Sequence, residues 1–487
     1  MLKTSNDLRP DPQYYSPHRR DRAFHGEPGR DRACDIVARN CKDLGLNPIH
    51  LKLALTTYLL ALAVFIPASG WIADRYGPKN VFRAAMAVFA LGSIACGMAE
   101  GLGSLVAARV LQGIGGAMMM PVGRLIVLRT VPREEMIGAM AWLTIPALLG
   151  PVMGPLLGGF ISTYFDWRWI FWINIPVALL GMALITRFIP DVRDGNPDGF
   201  DLKGFLLLGP GLSMFLTGAT LLGLDFVSGE TVAALLAIGA LLLALYVPHA
   251  LRSQAPLIDL KLLAVPTFLS GVVGGFLFRI GIGAAPFLLP LLFQMGFGMT
   301  PFQSGLLTFA TGFGAMFMKT QAASILRRFG YRNILIYNAL LAAAFSALPA
   351  FFTEATPALV MTAIFFIGGL SRSLQFTSIN TICYADIPPE QLSRATSFVS
   401  VGQELSGAVG VSVAALGLEL MQRTQGGGVL APSHFPPVFI LISAIAALSA
   451  FLYATLPKDA GSSLLAAPGA RRKEAIKGTA DAEGGHL

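Results

Sequence analysis

The chain has 487 residues, 54% hydrophobic and 13% charged, with a net charge of +8. Soluble domains carry about 25% charged residues, so this composition excludes a globular surface covered by charge. A basic balance also suits nucleic acid, but basic loops between membrane spans give the same sum; the apolar runs favour a lipid bilayer as the chain's surroundings and no nucleic-acid partner.

In chain order, residues 1–50 are polar, mixed in charge and hold Cys34 and Cys41. Apolar runs of about 20 residues then recur, each able to cross a hydrocarbon core as a helix. Helices close their own backbone hydrogen bonds, as lipid requires. The predicted spans are 51–72, 80–99, 103–128, 136–162, 169–189, 203–224, 231–251, 266–294, 302–325, 333–352, 357–380, 395–420 and 436–456. Fifty-three glycines and 31 prolines would wreck soluble helices, but small residues let helices approach closely in lipid. The fold class expected is an all-α membrane protein, with a disordered tail at 457–487. The cysteines, with Cys96 and Cys383, have no disulfide or metal spacing. All six histidines lie in tails, loops or span ends, so no metal and no cofactor are expected. No cleavable signal peptide is visible, because the apolar part starts too late.

Lys and Arg set the orientation. Alternate loops hold Arg75, Lys79 and Arg83; Arg129 and Arg133; Arg187, Arg193 and Lys203; Arg252 and Lys261; Arg327, Arg328 and Arg332; then Arg394. The tail adds Lys458, Arg471, Arg472, Lys473 and Lys477, whereas the intervening loops hold only Arg168 and Arg423. The first set is expected in the cytoplasm, with the C-terminus. Thirteen spans then put the N-terminus outside, although it carries Lys3, Arg9, Arg19, Arg20, Arg22, Arg30, Arg32, Arg39 and Lys42. A helix is expected to be missing before Leu51.

Two short stretches repeat. "RYGPKNV" (75–81) recurs as "RFGYRNI" (328–334), and "RVLQ" (109–112) as "RSLQ" (372–375). Both fall at like topological places, as in secondary transporters built from two similar halves.

Several motifs bear on function. "GWIADRYGPKN" (70–80) is read as a tight turn in which Gly70, Asp74, Arg75, Gly77 and Lys79 gate the protein. Gly77 permits a positive φ, and Asp74 is suited to a neighbouring helix N-terminus. A plain positive-inside turn is the other reading. Arg109 lies inside a span, where it costs about 2.5–3.5 kcal/mol unless it faces a cavity or a partner. It either couples protons or binds solute with Gln112, or it snorkels to the interface. Gly113, Gly115 and Gly116 are expected to pack closely, and Met118–Met120 to adapt to that packing. "GPVMGPLLGG" puts Gly150, Gly154 and Gly158 on one face, beside Pro151, Pro155 and Gly159. "WRWIFWINIP" (167–176) reads as an aromatic interfacial anchor. In the second half Arg279, Arg372 and Glu404 are buried by position. Glu404 is the acid placed well inside a span, either a proton carrier or a carboxyl kept neutral by burial.

Together these motifs resemble the major facilitator superfamily, from about Lys42 to about Lys458. "GWIADRYGPKN" is similar to its cytoplasmic-turn motif, "RVLQGIGGA" to its fourth-helix motif, and "GPVMGPLLGG" to the fifth-helix motif of its antiporters. "WRWIFWINIP" and two extra spans resemble the fourteen-helix drug:proton antiporters of the EmrB/QacA type, and "QGIGGAMMMPVGRLIVLR" their MdtD-like members. The resemblance implies the major facilitator fold: helical bundles at 51–189 and 266–456, joined by two extra helices within 190–265. It also implies a first helix carrying LDxT, which residues 1–50 lack. With permitted codons, a one-base shift turns "FHGEPGRDRACDIVARNC" into "FMENLDATVHATSLPAIA". This segment is therefore expected to be an out-of-frame remnant of the first helix, with a genuine divergent start as the alternative.

The expected function is proton-coupled efflux of small amphipathic substrates from a bacterial inner membrane, driven by the proton gradient. The chain is expected to act as a monomer, with an accessory efflux partner open. Arg109, Gln112, Arg372, Gln375 and Glu404 are the candidates for proton or substrate contact. Rival readings are an importer of organic acids or other polar solutes, using Arg279, Gln294 and Asn380 as well, and an inactive product of a frameshifted gene. The absence of a His or acid cluster argues against an enzyme.

Overall fold

The computed structural model describes the backbone of residues 48–56 and all of 57–143, 161, 165–190, 199–221, 227–425 and 430–465. Helix is the only regular structure among them. We label the principal helices α1 (Pro48–Phe65), α2 (Ser69–Tyr76), α3 (Pro78–Gly97), α4 (Leu102–Thr130), α5 (Asn174–Phe188), α6 (Leu202–Leu221), α7 (Gly229–Arg252), α8 (Gly275–Gly283), α9 (Pro301–Phe329), α10 (Tyr331–Ala347), α11 (Ala358–Ile382), α12 (Leu392–Thr424) and α13 (Phe435–Ala454). Helix α8 is the middle of a longer span, Pro266–Gly296, interrupted by π-helical turns at Ser270–Gly274 and Leu292–Gly296.

Eleven of the described helical runs are long and apolar enough to cross a membrane. Helix α9 has the length but is more polar, with buried Lys319 and a terminal Arg327–Arg328. Of the predicted span 136–162, residues 136–143 are helical and most of the rest lies outside the described residues. Large apolar side chains, among them Trp142, Phe188, Phe302, Leu359 and Phe451, cover the outside. Such a surface needs lipid, and the chain is a multi-pass membrane protein.

Local signals set the helix starts. Pro301 occupies the first turn of α9, and the Thr300 hydroxyl accepts from the Gln303 amide while Gln303 Oε1 accepts from the Thr300 amide. This reciprocal cap satisfies two donors that a helix start leaves free.

The predicted turn at 70–80 is shorter than the motif suggests. Helix α2 continues through Asp74 and Arg75 to Tyr76, and the chain reverses on Gly77 alone, at φ 84°. Pro78 then opens α3. A single residue suffices because Gly adopts that φ without a Cβ clash, while Pro lacks only an N–H that the helix start would leave unpaired. The second copy is built alike: α9 ends at Phe329, Gly330 has φ 75°, and Tyr331 opens α10. Asn80 Nδ2 donates to the Tyr76 carbonyl at 3.3 Å, and Asn333 Nδ2 to the Phe329 carbonyl at 3.1 Å.

Helices α1, α3 and α4 pack together in the first half, and α8 to α13 in the second. The linking pair α6 and α7 packs on itself, and α6 also lies against both α1 and α12. The Ser412 hydroxyl of α12 donates to the Ala219 carbonyl of α6 at 2.9 Å.

The basic loops meet at one end. Lys79 Nζ donates to the Thr186 carbonyl, Arg327 Nη2 to Glu134 and Arg332 Nη2 to Ala454. At this basic end one apolar core mixes both halves, with Ala73, Leu125 and Ile137 beside Ile382, Ala395 and Tyr453. At the other end the cores separate: Cys96, Leu105 and Phe171 in the first half, Leu288, Phe293 and Phe435 in the second. Among the described residues, the halves are thus closed on each other at the basic end and apart at the other.

The expected free tail begins later than Pro457. Residues 457–465 fold back, Ser462–Leu465 forms one helical turn, and Leu464 is buried in the shared core. An apolar anchor ties down a terminus that composition alone reads as free.

Gly115 sets how closely α3 and α4 approach. A Cβ there would lie 2.5 Å from the Phe89 amide nitrogen and 2.7 Å from the Ala85 carbonyl oxygen. Backbone cannot yield as a side-chain tip does, so Gly115→Val is expected to destabilise the first half by ~1–3 kcal/mol or more. A fall in the thermal unfolding temperature of the purified protein checks this; an unchanged temperature contradicts it.

Candidate functional site

The site is the seam between the halves at the basic end. Ser393 and Ser397 lie one turn apart on α12, facing α2. Asp74 Oδ2 accepts from the Ser393 hydroxyl, and Asp74 Oδ1 accepts from Arg129 Nη2 at 2.9 Å. The acid therefore sits over the first turn of α12, where the helix dipole adds about 0.3–1 kcal/mol. The Ser397 hydroxyl accepts from the Gly70 amide and lies 3.0 Å from the Ser69 hydroxyl. Gly70 lets this happen: a Cβ there would lie 2.6 Å from the Ser393 carbonyl oxygen.

The second half reciprocates. Arg327 holds the place in the repeat that Asp74 holds in the first copy, and its Nη2 reaches the Glu134 carbonyl of the other half at 3.1 Å. Arg133 Nη1 donates to the Ala385 carbonyl at 3.0 Å. Arg124, 2% exposed, donates to the Tyr384 hydroxyl at 3.3 Å and to Gln403 Oε1 at 3.2 Å. Burial pushes the Tyr384 hydroxyl up to about 12, against the pull of Arg124, so it stays a neutral acceptor.

Net, a bond between neutral groups contributes roughly 0.5–1.5 kcal/mol and one to a charged group roughly 1.5–3 kcal/mol. The seam is therefore worth several kcal/mol, of the same order as the about 5.5 kcal/mol that moves a two-state equilibrium from 1:99 to 99:1. It can close firmly and still reopen.

Of the other gating-turn residues, Arg75 is exposed and Lys79 is tied to Thr186 within the first half. Arg109 Nη1 donates to Gln112 Oε1 at 2.8 Å, and Gln112 Nε2 to the Ser93 hydroxyl at 2.8 Å. The Arg109 guanidinium lies 4.7 Å from the Phe171 ring centre and 5.9 Å from that of Tyr58. Its Nε is buried without an acceptor among the described residues. Gln375, the repeat of Gln112, is fully buried: Oε1 accepts from Asn338 and Nε2 donates to the Leu335 carbonyl. In both copies the glutamine ties its helix to the neighbouring α3 or α10. Arg372 is half-buried over Phe376, lining a small pocket inside the second half.

Glu404 follows Ser397 and Val401 along one face of α12, above the seam. It is exposed, and Tyr58 lies within electrostatic range of both Glu404 and Arg109. Among the described residues it is the acid placed well inside a span. The stretch Gly150–Gly159, with Pro151, Gly154, Pro155 and Gly158, lies outside the described residues, as do residues 1–47.

Sequence reasoning missed Ser393, Ser397, Arg124, Tyr384 and Gln403. Arg124 alone carried a visible signal, an arginine inside an apolar run; the others show their role only through a bond to the opposite half.

Comparison with known proteins agrees with this architecture. The family model described as Major Facilitator Superfamily matches residues 41–411 and 271–478. A relative from Klebsiella pneumoniae (strain MGH 78578), described as "Putative multidrug resistance protein MdtD", is 39% identical over 426 residues, covering 86% of this chain and 90% of the relative. A protein of the same description from Salmonella paratyphi A is 38% identical over 442 residues, covering 89% and 92%. Among solved structures, the proton:xylose symporter XylE superposes with a TM-score of 0.60 at 15% identity, over 89% of this chain and 93% of that one. The human organic anion transporter MFSD10 gives 0.59 at 16%, over 87% and 89%.

Gly70→Val is expected to wedge the seam open. Spin labels at exposed Arg75 and Arg328, on the equivalent turns of the two halves, should then move apart in pulsed electron resonance. Transport should fall about tenfold or more, the effect of ~1.4 kcal/mol. Unchanged label separation would contradict the assignment of Gly70.

Proposed function

The chain belongs to the major facilitator superfamily, and from that premise we propose that it exports small amphipathic compounds in exchange for protons by alternating access. The relatives are transporters, not enzymes, and those described as multidrug resistance proteins match along most of their length. In this reading the basic end faces the cytoplasm of a bacterial inner membrane and carries the C-terminus there, as the Lys and Arg distribution supports.

One observation carries the antiport reading: Glu404, an exposed acid inside α12, lies within electrostatic range of Tyr58 of the first half, two turns along α12 from the seam serine Ser397. In this reading, with that end shut, Glu404 exchanges protons with the outer side. A carboxylate there takes a proton from outside, and protonation shifts the equilibrium only if the two conformations hold the proton differently. The drive includes about 2.3 kcal/mol per charge per 100 mV, comparable with the several kcal/mol of the seam. Import of organic acids is not favoured by the relatives.

Everted vesicles holding the full chain test this. With an acidic lumen, ethidium is expected to accumulate and protons to leave as it enters. Glu404→Gln should lower gradient-driven accumulation by at least about tenfold, ~1.4 kcal/mol, while ethidium equilibration without a gradient persists. Wild-type accumulation in Glu404→Gln would remove Glu404 from the coupling.

A further inference from the structure

Behind the seam a line of cations runs inward. A cavity of about 260 Å³ at the basic end is lined by Arg129, Arg133 and the Tyr384 side chain. From Tyr384 the contacts continue to Arg124 on α4, then to Gln403 on α12, whose Nε2 donates to Asn380 Oδ1 at 3.1 Å. The same Asn380 oxygen accepts from Arg279 Nη2 of α8 at 2.9 Å. Arg279 and Arg372 then share one ring, with guanidinium carbons 5.7 and 5.8 Å from the centre of Phe376.

Arg124 is 2% exposed and Arg279 8%, and among the described residues no carboxylate bonds Arg124, Arg279 or Arg372. Buried cations held by neutral amides and a phenol are under-compensated, because a carboxylate or sulfonate is the stronger, bidentate acceptor. The connectivity matters as much. Arg124 belongs to the first half and both its acceptors to the second. Opening the basic end would strip Arg124 of both, and leave it near Arg279, which stays bonded to Asn380 of its own half beside Phe376.

We propose that Arg124 and Arg279 form the recognition site for an organic anion entering at the basic end, with Phe376 against its apolar part. The exported compounds thus include amphipathic carboxylates or sulfonates, and do not consist only of lipophilic cations. The anion replaces the acceptors that Arg124 loses on opening and bridges the arginines as the halves close again. This rests on the export reading above.

The test uses the full chain in phosphatidylcholine vesicles with an acidic lumen, comparing Lucifer yellow, a disulfonate, with cationic ethidium. Wild-type protein is expected to accumulate Lucifer yellow. Arg124→Gln and Arg279→Gln should each lower the Lucifer yellow to ethidium ratio about tenfold or more, as loss of a charge-assisted bond does; Arg279→Lys should restore part of it. For wild type alone, naphthalenesulfonate should inhibit Lucifer yellow uptake more than a naphthylmethylammonium of like size, a measurement independent of whether any variant folds. Ethidium uptake without Lucifer yellow uptake, or an unchanged ratio in both glutamine variants, would overturn the anion site and leave the export reading standing. Lucifer yellow uptake that needs added phosphatidylglycerol would assign the arginines to a lipid headgroup and overturn it too. Failure of both dyes to move would refute the export reading itself.

Discussion

The closure of this molecule depends on the absence of one side chain. At Gly70, α2 lies so near α12 that its amide reaches the Ser397 hydroxyl and a Cβ would strike the Ser393 carbonyl. Only at that separation can Asp74 reach the start of α12 while Arg129 holds its other oxygen. The shared apolar core, with Ala73 of α2 and Ala395 of α12, forms around this contact. Small residues make close approach possible in lipid, and here they also bring polar groups of different halves within bonding range.

The seam is made of many weak contacts, and that suits a moving part. A buried ion pair between the halves would cost about 3–5 kcal/mol when one partner is removed, and would resist opening. The close ion pair of Asp74 with Arg129 lies within the first half and travels with it, and Arg394 of α12 adds a longer-range attraction to Asp74. The bonds that cross the seam pair one charged group with a neutral one, Asp74 with a serine hydroxyl and arginines with backbone carbonyls, an amide and a phenol, or join two hydroxyls. Several such bonds can be exchanged for water at modest net cost. The unusual element is the arginine line behind them, where charge crosses the interface without a counter-charge.

Much of the architecture was legible because it is local or periodic. Apolar run length gave the spans, and the alternation of basic loops gave the end at which Lys79, Arg133, Arg327 and Arg332 meet. The two turns could be matched by eye, and their backbones agree down to the Asn80 and Asn333 bonds. The repeat had less to say about roles. Gln375 looked like a candidate ligand, yet it is consumed by Asn338 and Leu335, since a four-residue motif does not reveal which helix its side chain faces. Ser393 was illegible for a different reason: its partner Asp74 is 319 positions away, and a serine near a helix start reads as an ordinary cap. The start of the tail, 457–465, was misjudged because one buried leucine, Leu464, outweighs a polar composition.

Alternation of the basic end between shut and open is tested most directly by fastening it. The Ser69 and Ser397 hydroxyl oxygens are 3.0 Å apart across the seam, so cysteines at both positions, in a chain lacking its native thiols, should form a disulfide on oxidation. The expected result is loss of gradient-driven transport in the oxidised protein and its return on reduction. Full transport by a protein shown to be completely cross-linked would contradict a cycle that opens this seam.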